Sequence, residues 1–229
     1  MRLLLNKEVR RIPNQNLSAT MSLGSATNAS FNLPEFPWGL PALHKFSLEQ
    51  YHRLRDEGVL NPADRVELLS GYLVEKITKN PKHSRATQRL FRALLSRLQA
   101  GWYAACQEPI TLAESEPEPD IWIARGSDSD YQDRHPGSKD LVLVVEVADS
   151  SLGLDRGLKR QIYAAAGIVQ YWIVNLLDER IERYSDPQAS AGKQLIDYKT
   201  VQHVNANESL VIVLNERETV KFPAAVIWN

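Results

Sequence analysis

The chain reads as a mixed α/β domain with a central β-sheet flanked by helices, on three observations. Short strand-like apolar runs are interleaved with two amphipathic helical stretches. One run, Leu141-Val-Leu-Val-Val-Glu-Val-Ala, is apolar on both faces, as a central strand covered from both sides must be. The 229 residues, 43% hydrophobic and 24% charged, fit an ordinary globular protein and suffice for one core.

Taken in order, residues 12–33 are rich in Ser, Ala, Asn and Thr, keep no period and read as a mobile leader. Pro34, Pro37 and Pro41 then stiffen the approach to Phe46. The expected division is a flexible or extended leader over residues 1–45 and a single domain over residues 46–229. Ser47 caps a short helix that runs to about Glu57 and is closed by Gly58. Arg65-Val-Glu-Leu-Leu and Tyr72-Leu-Val-Glu-Lys-Ile flank Ser70-Gly71, a β-hairpin signal. Residues 84–98 give the clearest helix, with Leu90, Phe91, Leu94, Leu95 and Leu98 on one face and Arg85, Arg89 and Arg92 on the other.

Strands are expected at residues 102–112, 121–124 and 141–148, followed by a helix over 155–166 that Gly167 ends. The segment 126–138 reads as an exposed loop. Two more strands, 171–175 and 180–184, surround the turn at Leu177-Asp178-Glu179, and the tail adds 195–199 and 210–214 as a further hairpin.

Composition excludes several functions. The single Cys106 cannot support a disulfide framework or a thiolate zinc site, so any metal sits on oxygen or nitrogen ligands and the expected compartment is reducing cytoplasm. No apolar run reaches the roughly 18 residues of a membrane span. Leu3, Leu4 and Leu5 are followed at once by Asn6, Lys7 and Glu8, which breaks any signal-like segment. A net charge of −1 argues against coating nucleic acid by bulk electrostatics and leaves room for a local basic patch.

Glu146 is conspicuous, because a carboxylate in an apolar central strand is seldom buried unless it is paired or binds a metal. It is either a strand-end Glu paired with an Arg or a site residue open to a cleft. Pro119 sets Asp120 at the mouth of the strand that begins at Ile121. Alone, Pro-Asp is common loop punctuation. Together, two carboxylates on adjacent strand ends supply the hard oxygen ligands that Mg²⁺ accepts.

Asp155, Lys159 and Tyr163 repeat every four residues on one helical face directly after that strand. An i,i+4 Asp–Lys pair is also a routine surface salt bridge. Glu67, between Val66 and Leu68, is either a further metal carboxylate or the partner of Arg65 or Lys76. His83, before the long helix, reads as a cap or surface residue, and Gln107 as a side chain that could face the cleft. The arginine stripe Arg85, Arg89 and Arg92 is either a solvated face or a surface for a phosphate backbone.

The ordered series Arg-Val-Glu-Leu-Leu-Ser-Gly-Tyr-Leu-Val-Glu, Lys-His-Ser, Pro-Glu-Pro-Asp, Val-Val-Glu-Val-Ala-Asp-Ser-Ser, Asp-Arg-Gly-Leu-Lys and Tyr-Trp-Ile-Val-Asn resembles the Uma family. These are bacterial endonucleases of the restriction endonuclease-like, PD-(D/E)XK superfamily. The resemblance spans residues 46–198. It implies a restriction endonuclease-like core and a divalent-metal site, Mg²⁺ or alternatively Mn²⁺, at the strand ends. Asp120 matches the motif Asp and Glu146 the motif acid. Where the superfamily pattern expects Lys, two positions after Glu146, this chain has Ala148, and Lys159 matches a basic residue moved to the following helix. Glu67 matches an additional acidic position.

The expected function is therefore Mg²⁺-dependent endonucleolytic hydrolysis of DNA. Asp120, Glu146 and Lys159 are the catalytic set and Glu67, Asp120 and Glu146 the metal set. Gln107, Asp155 and Tyr163 support them, Tyr163 through Lys159, while His83, Arg85 and Arg89 contact nucleic acid. Two readings compete with it: an inactive nucleic-acid-binding or interaction module on a nuclease scaffold, and a metal-free hydrolase using Asp120 and Glu146 as acid and base. A homodimer suits the cutting of two strands, and a membrane partner is not expected.

Overall fold

The computed structural model describes residues 43–189 and 196–228. Most of the expected leader lies outside them. Helix α1 (Leu48–Asp56) opens with Ser47, whose hydroxyl accepts from the Gln50 amide while the Gln50 side chain accepts from the Ser47 amide. The hairpin pairs β1 (Val66–Leu69) with β2 (Tyr72–Glu75). Its two turn residues, Ser70 (φ 51°) and Gly71 (φ 83°), are both left-handed, as a two-residue hairpin turn requires. At Gly71 a Cβ would also come within 2.9 Å of Lys45 Cβ, so the turn needs glycine on two grounds.

Helix α2 (Pro81–Leu95) begins three residues earlier than its apolar stripe suggests. Asn80 accepts from the His83 amide and Pro81 occupies the first helical position, a start signal that overrides Ser84. Its buried face is His83, Ala86, Thr87, Leu90, Ala93 and Leu94, while Leu95 is exposed. β3 (Trp102–Cys106) is half the expected length, because Gln107 turns to φ 61° and ends the pairing. β4 (Ile121–Arg125) and β5 (Leu141–Ala148) follow.

Helix α3 is composite. A short turn, Leu152–Leu154, leads into a π-helical stretch, Asp155–Lys159, and then α-helix over Arg160–Ala165. Gly167 (φ 76°) lies just past its end. β6 (Gln170–Asn175), β7 (Arg180–Ala189) and β8 (Ile196–Asn205) complete the main sheet. The last two are longer than expected because their outer halves carry mostly polar residues, which leave no apolar alternation to read.

The sheet has six strands in the order β3-β4-β5-β6-β7-β8. It is mixed: β5 and β6 run parallel, joined across α3, and every other pair is antiparallel. The expected tail hairpin is corrected here. β8 pairs with β7, and β9 (Ser209–Val213) pairs instead with β10 (Thr219–Pro223). The ten-residue partner β7 offers β8 a far longer ladder than residues 210–214 could.

Side chains from the two faces of the sheet pack into two cores. α2, β9 and β10 cover one, where Leu90 and Leu94 meet Ile121, Ile123, Val145, Val147, Leu210 and Phe222. Ile227 is buried there too, so the apolar tail packs within the chain. α3 and the β1–β2 hairpin cover the other, where Leu69, Ile162 and Tyr163 meet Val144, Ala148, Tyr171 and Ile173. Each large aliphatic side chain buried this way stabilises the fold by roughly 1.5–3 kcal/mol before entropy is counted. β5 is buried along all eight residues, Glu146 included.

Candidate active site

The site forms where strand ends meet the hairpin and α3. Residues 116–120 run beside β1 before β4 begins: the Glu116 amide donates to Leu68 O at 2.8 Å and the Glu118 amide to Glu67 Oε2 at 3.1 Å. This stitching holds Glu67 next to the approach to Asp120. In the β4–β5 ladder Ile121 lies opposite Val145, so the next pair outward is Asp120 and Glu146. The Asp120 carboxylate is fixed across the gap, its Oδ2 accepting from the Val147 amide at 2.9 Å.

Lys159 arrives from α3 and donates to Glu146 Oε1 at 3.1 Å while lying 3.2 Å from Glu67 Oε1. The Tyr163 hydroxyl donates to the same Glu146 oxygen at 2.7 Å. Tyr163 thus supports Glu146 rather than Lys159, and both bonds leave Glu146 Oε2 unused. The π-helical turn widens the helix where Asp155 and Lys159 sit, so that both are buried below the cleft instead of forming a surface ion pair. Asp155 Oδ2 has no hydrogen-bond partner among the described residues, although its carboxylate is 1% exposed.

Four carboxylates, Glu67, Asp120, Glu146 and Asp155, are therefore buried together with one buried lysine. Their titration reflects the crowding. Burial drives the Glu146 carboxyl up to about 8, with Lys159 opposing the rise and Asp155, Asp120 and Glu67 adding to it. Burial likewise pushes Asp155 up to about 6 against the pull of Lys159. Asp120 goes the other way. Burial would raise it, but the His83 bond and charge, Lys79 and the Val147 amide together hold it below the usual carboxylate range. Burial also works against the charged form of Lys159, and Glu146, Glu67 and Asp155 overcome it, so the ammonium is locked in its charged form.

Two contacts escape sequence reasoning. Lys79 lies 3.1 Å from Asp120 Oδ1. His83 is buried at 7% exposure and lines the cleft, with Nε2 3.0 Å from Asp120 Oδ2, so it is neither the helix cap nor a surface residue. The Asn80-Pro81 pair was the available signal, since it starts α2 early enough to turn His83 inward. Nothing in the sequence marks Lys79. Gln107 reaches Asp120 Oδ1 at 3.4 Å, a long bond. Arg85 and Arg89 stand on a different face of α2 from His83 and line a groove outside this cleft.

The cleft holds about 70 Å³, room for an ion and its water, and is lined by Glu67, Lys79, His83, Asp120, Glu146 and Lys159 among others. Among the described residues, no three His, Cys, Asp or Glu side chains meet in a metal-ligating cluster. Mg²⁺ does not require one: it keeps several waters and is commonly held by one or two carboxylates. Asp120 and Glu146 offer an all-oxygen donor pair with Glu146 Oε2 unused, and the buried acids outnumber the buried cation. The donor chemistry fits a hard divalent ion.

Comparison with known proteins bears on the family and the fold. Residues 48–217 match the model of the family Uma2, described as "Putative restriction endonuclease". Among solved structures, the chain is similar to "a putative nuclease belonging to DUF820" from Anabaena variabilis ATCC 29413, at 12% identity and a TM-score of 0.58 over 80% of this chain and 97% of that one. That likeness concerns the fold. No curated protein matches the chain. No helix among the described residues is long and apolar enough to cross a membrane.

Proposed function

The chain belongs to the Uma2 family, described as "Putative restriction endonuclease", and we propose that it is a Mg²⁺-dependent endodeoxyribonuclease of the cytoplasm. The observation that carries the reading is the placement of Asp120 opposite Glu146 at adjacent strand ends, with the Lys159 ammonium 3.1 Å from Glu146. Asp120 and Glu146 would hold the cation. When bound, a divalent ion polarises a phosphoryl oxygen and lowers the pKa of a water.

The chain's own groups do the rest. Lys159, kept charged by its acidic neighbours, orients the attacking water and offsets charge that develops on the phosphate oxygens. Glu67 holds Lys159 in place from the hairpin side, and its other oxygen is tied to the Glu118 amide. Tyr163 fixes the Glu146 carboxylate through Oε1, and Oε2 accepts no hydrogen bond among the described residues. His83 and Gln107 orient Asp120 from two sides. Leaving-oxygen protonation is left to solvent.

The test is cleavage of supercoiled, linear duplex and single-stranded DNA and of RNA, with Mg²⁺ or Mn²⁺ and with chelator. The expected result is divalent-dependent cleavage of DNA, lost in Asp120→Ala. Calorimetric absence of metal binding would favour an inactive binding module, and chelator-resistant cleavage a metal-free hydrolase.

A further inference from the structure

We propose that the groove between the outer face of α2 and the chain's C-terminal turn is the track for a nucleic-acid strand leaving the catalytic cleft. The inference rests on the nuclease reading of that cleft and adds where the polymer lies. The groove, about 280 Å³, is lined by Lys82, Arg85 and Arg89 with Leu176 and Trp228. Glu179 is its one acidic lining residue, and it reaches Lys82 only at 4.0 Å.

The three cations of this face spend their hydrogen bonds on backbone carbonyls. Lys82 donates to Leu176 O at 2.8 Å, Arg85 to Pro81 O at 3.4 Å and Arg89 to Trp228 O at 3.0 Å. Backbone carbonyls orient a cation without cancelling its charge. Several other arginines face carboxylates instead: Arg53 pairs with Glu57, Arg134 with Asp140, Arg160 with Asp197 and Arg180 with Asp178. Three cations facing one acid give this groove a local positive excess in a chain whose net charge is −1.

The groove is also continuous with the chemistry. Asn80, which caps α2, and His83 within it line the catalytic cleft, while Lys82, Arg85 and Arg89 of the same helix line the groove. From position 82 to 89 the helix advances about 10 Å, so a strand bound in the cleft meets successive cations along its backbone. The apolar lining of Leu176, Ile227 and Trp228 gives a base a nonpolar surface beside the cations.

The experiment measures binding of fluorescent single-stranded DNA, duplex DNA and single-stranded RNA to the full chain in EDTA, across a salt series, so that no turnover is needed. For Lys82→Gln/Arg85→Gln the dissociation constant should rise about tenfold, and the slope of log K against log salt should fall by about 2, one for each cation removed. The remote control Arg53→Gln should match wild type. Should the double variant fold poorly, Arg85→Gln alone removes an exposed side chain and should lower the slope by about 1. An unchanged slope, or no binding of any of the three polymers by wild type, overturns the groove. Groove-dependent binding in a protein that cleaves nothing would instead contradict the hydrolytic reading and leave the groove standing. The ranking of the three probes identifies which polymer the track takes.

Discussion

Two buried carboxylates two strands apart in the same sheet, Glu182 on β7 and Glu146 on β5, have opposite fates. Glu182 is fully satisfied: Arg156 grips both oxygens, and Asn175 and Tyr184 each donate one further bond. Burial would raise its pKa, but those bonds outweigh it and hold the carboxylate down at about 2. Glu146 receives bonds on one oxygen only, shares its surroundings with three other acids, and is pushed up to about 8. Both are almost completely buried. Burial alone therefore does not distinguish a structural acid from a functional one, and of the two proposed metal ligands Glu146 keeps an open oxygen while Asp120 is contacted on both. An incompletely satisfied shell opening on a cleft is a place for a ligand, and the unpartnered Asp155 oxygen beneath it belongs to the same pattern.

Substitutions can break this contrast. The largest effect is expected at the cleft, where Asp120→Asn should lower DNA cleavage by about 10³-fold or more, measured on protein shown to be folded. Lys159→Met comes next. It removes the one buried cation among four acids and should cost about 3–5 kcal/mol in chemical denaturation, together with activity, because uncompensated charge is left buried.

Glu182→Gln should lower stability by about 2–3 kcal/mol at pH 7 and spare the chemistry of the cleft. The pH dependence has a definite sign. The folded pKa of Glu182 lies below its ordinary 4.5, so its contribution is complete above that value and is lost as pH falls toward about 2. Wild type and Glu182→Gln should therefore differ most in denaturant midpoint at neutral pH and converge near pH 2. The smallest effect is expected for Tyr163→Phe, which deletes one of two donors to Glu146 and should cost about 1–2 kcal/mol, measured as a shift in denaturation midpoint.

The sequence made the elements with strong local signals legible. The Ser47 capping box, the Ser70-Gly71 turn and the span of β5 follow from residues at fixed offsets, and no distant contact is needed to place them. The halt of β3 at Cys106 was not legible, because the left-handed Gln107 is set by the bond of its amide to Asp120 O, 13 residues away. The pairing of β8 with β7 escaped for the same reason: strand partners are chosen over long range, and polar outer strands carry no apolar period. In the site, Asp120, Glu146 and Lys159 announced themselves as charged residues in or beside apolar elements. Lys79 could not, since a lysine in a polar loop looks like any surface lysine until the fold brings it to Asp120. The inward turn of His83 depended on a helix start read three residues late.

The account's central claim is that Asp120 and Glu146 form a divalent-dependent centre for phosphodiester hydrolysis. Its most direct test is cleavage of supercoiled DNA by purified wild type and the Asp120→Ala/Glu146→Ala double variant, each across a Mg²⁺ titration. The account predicts cleavage by wild type that rises with Mg²⁺ and vanishes with chelator, and none by the folded double variant at any concentration; persistent cleavage by that variant would contradict it.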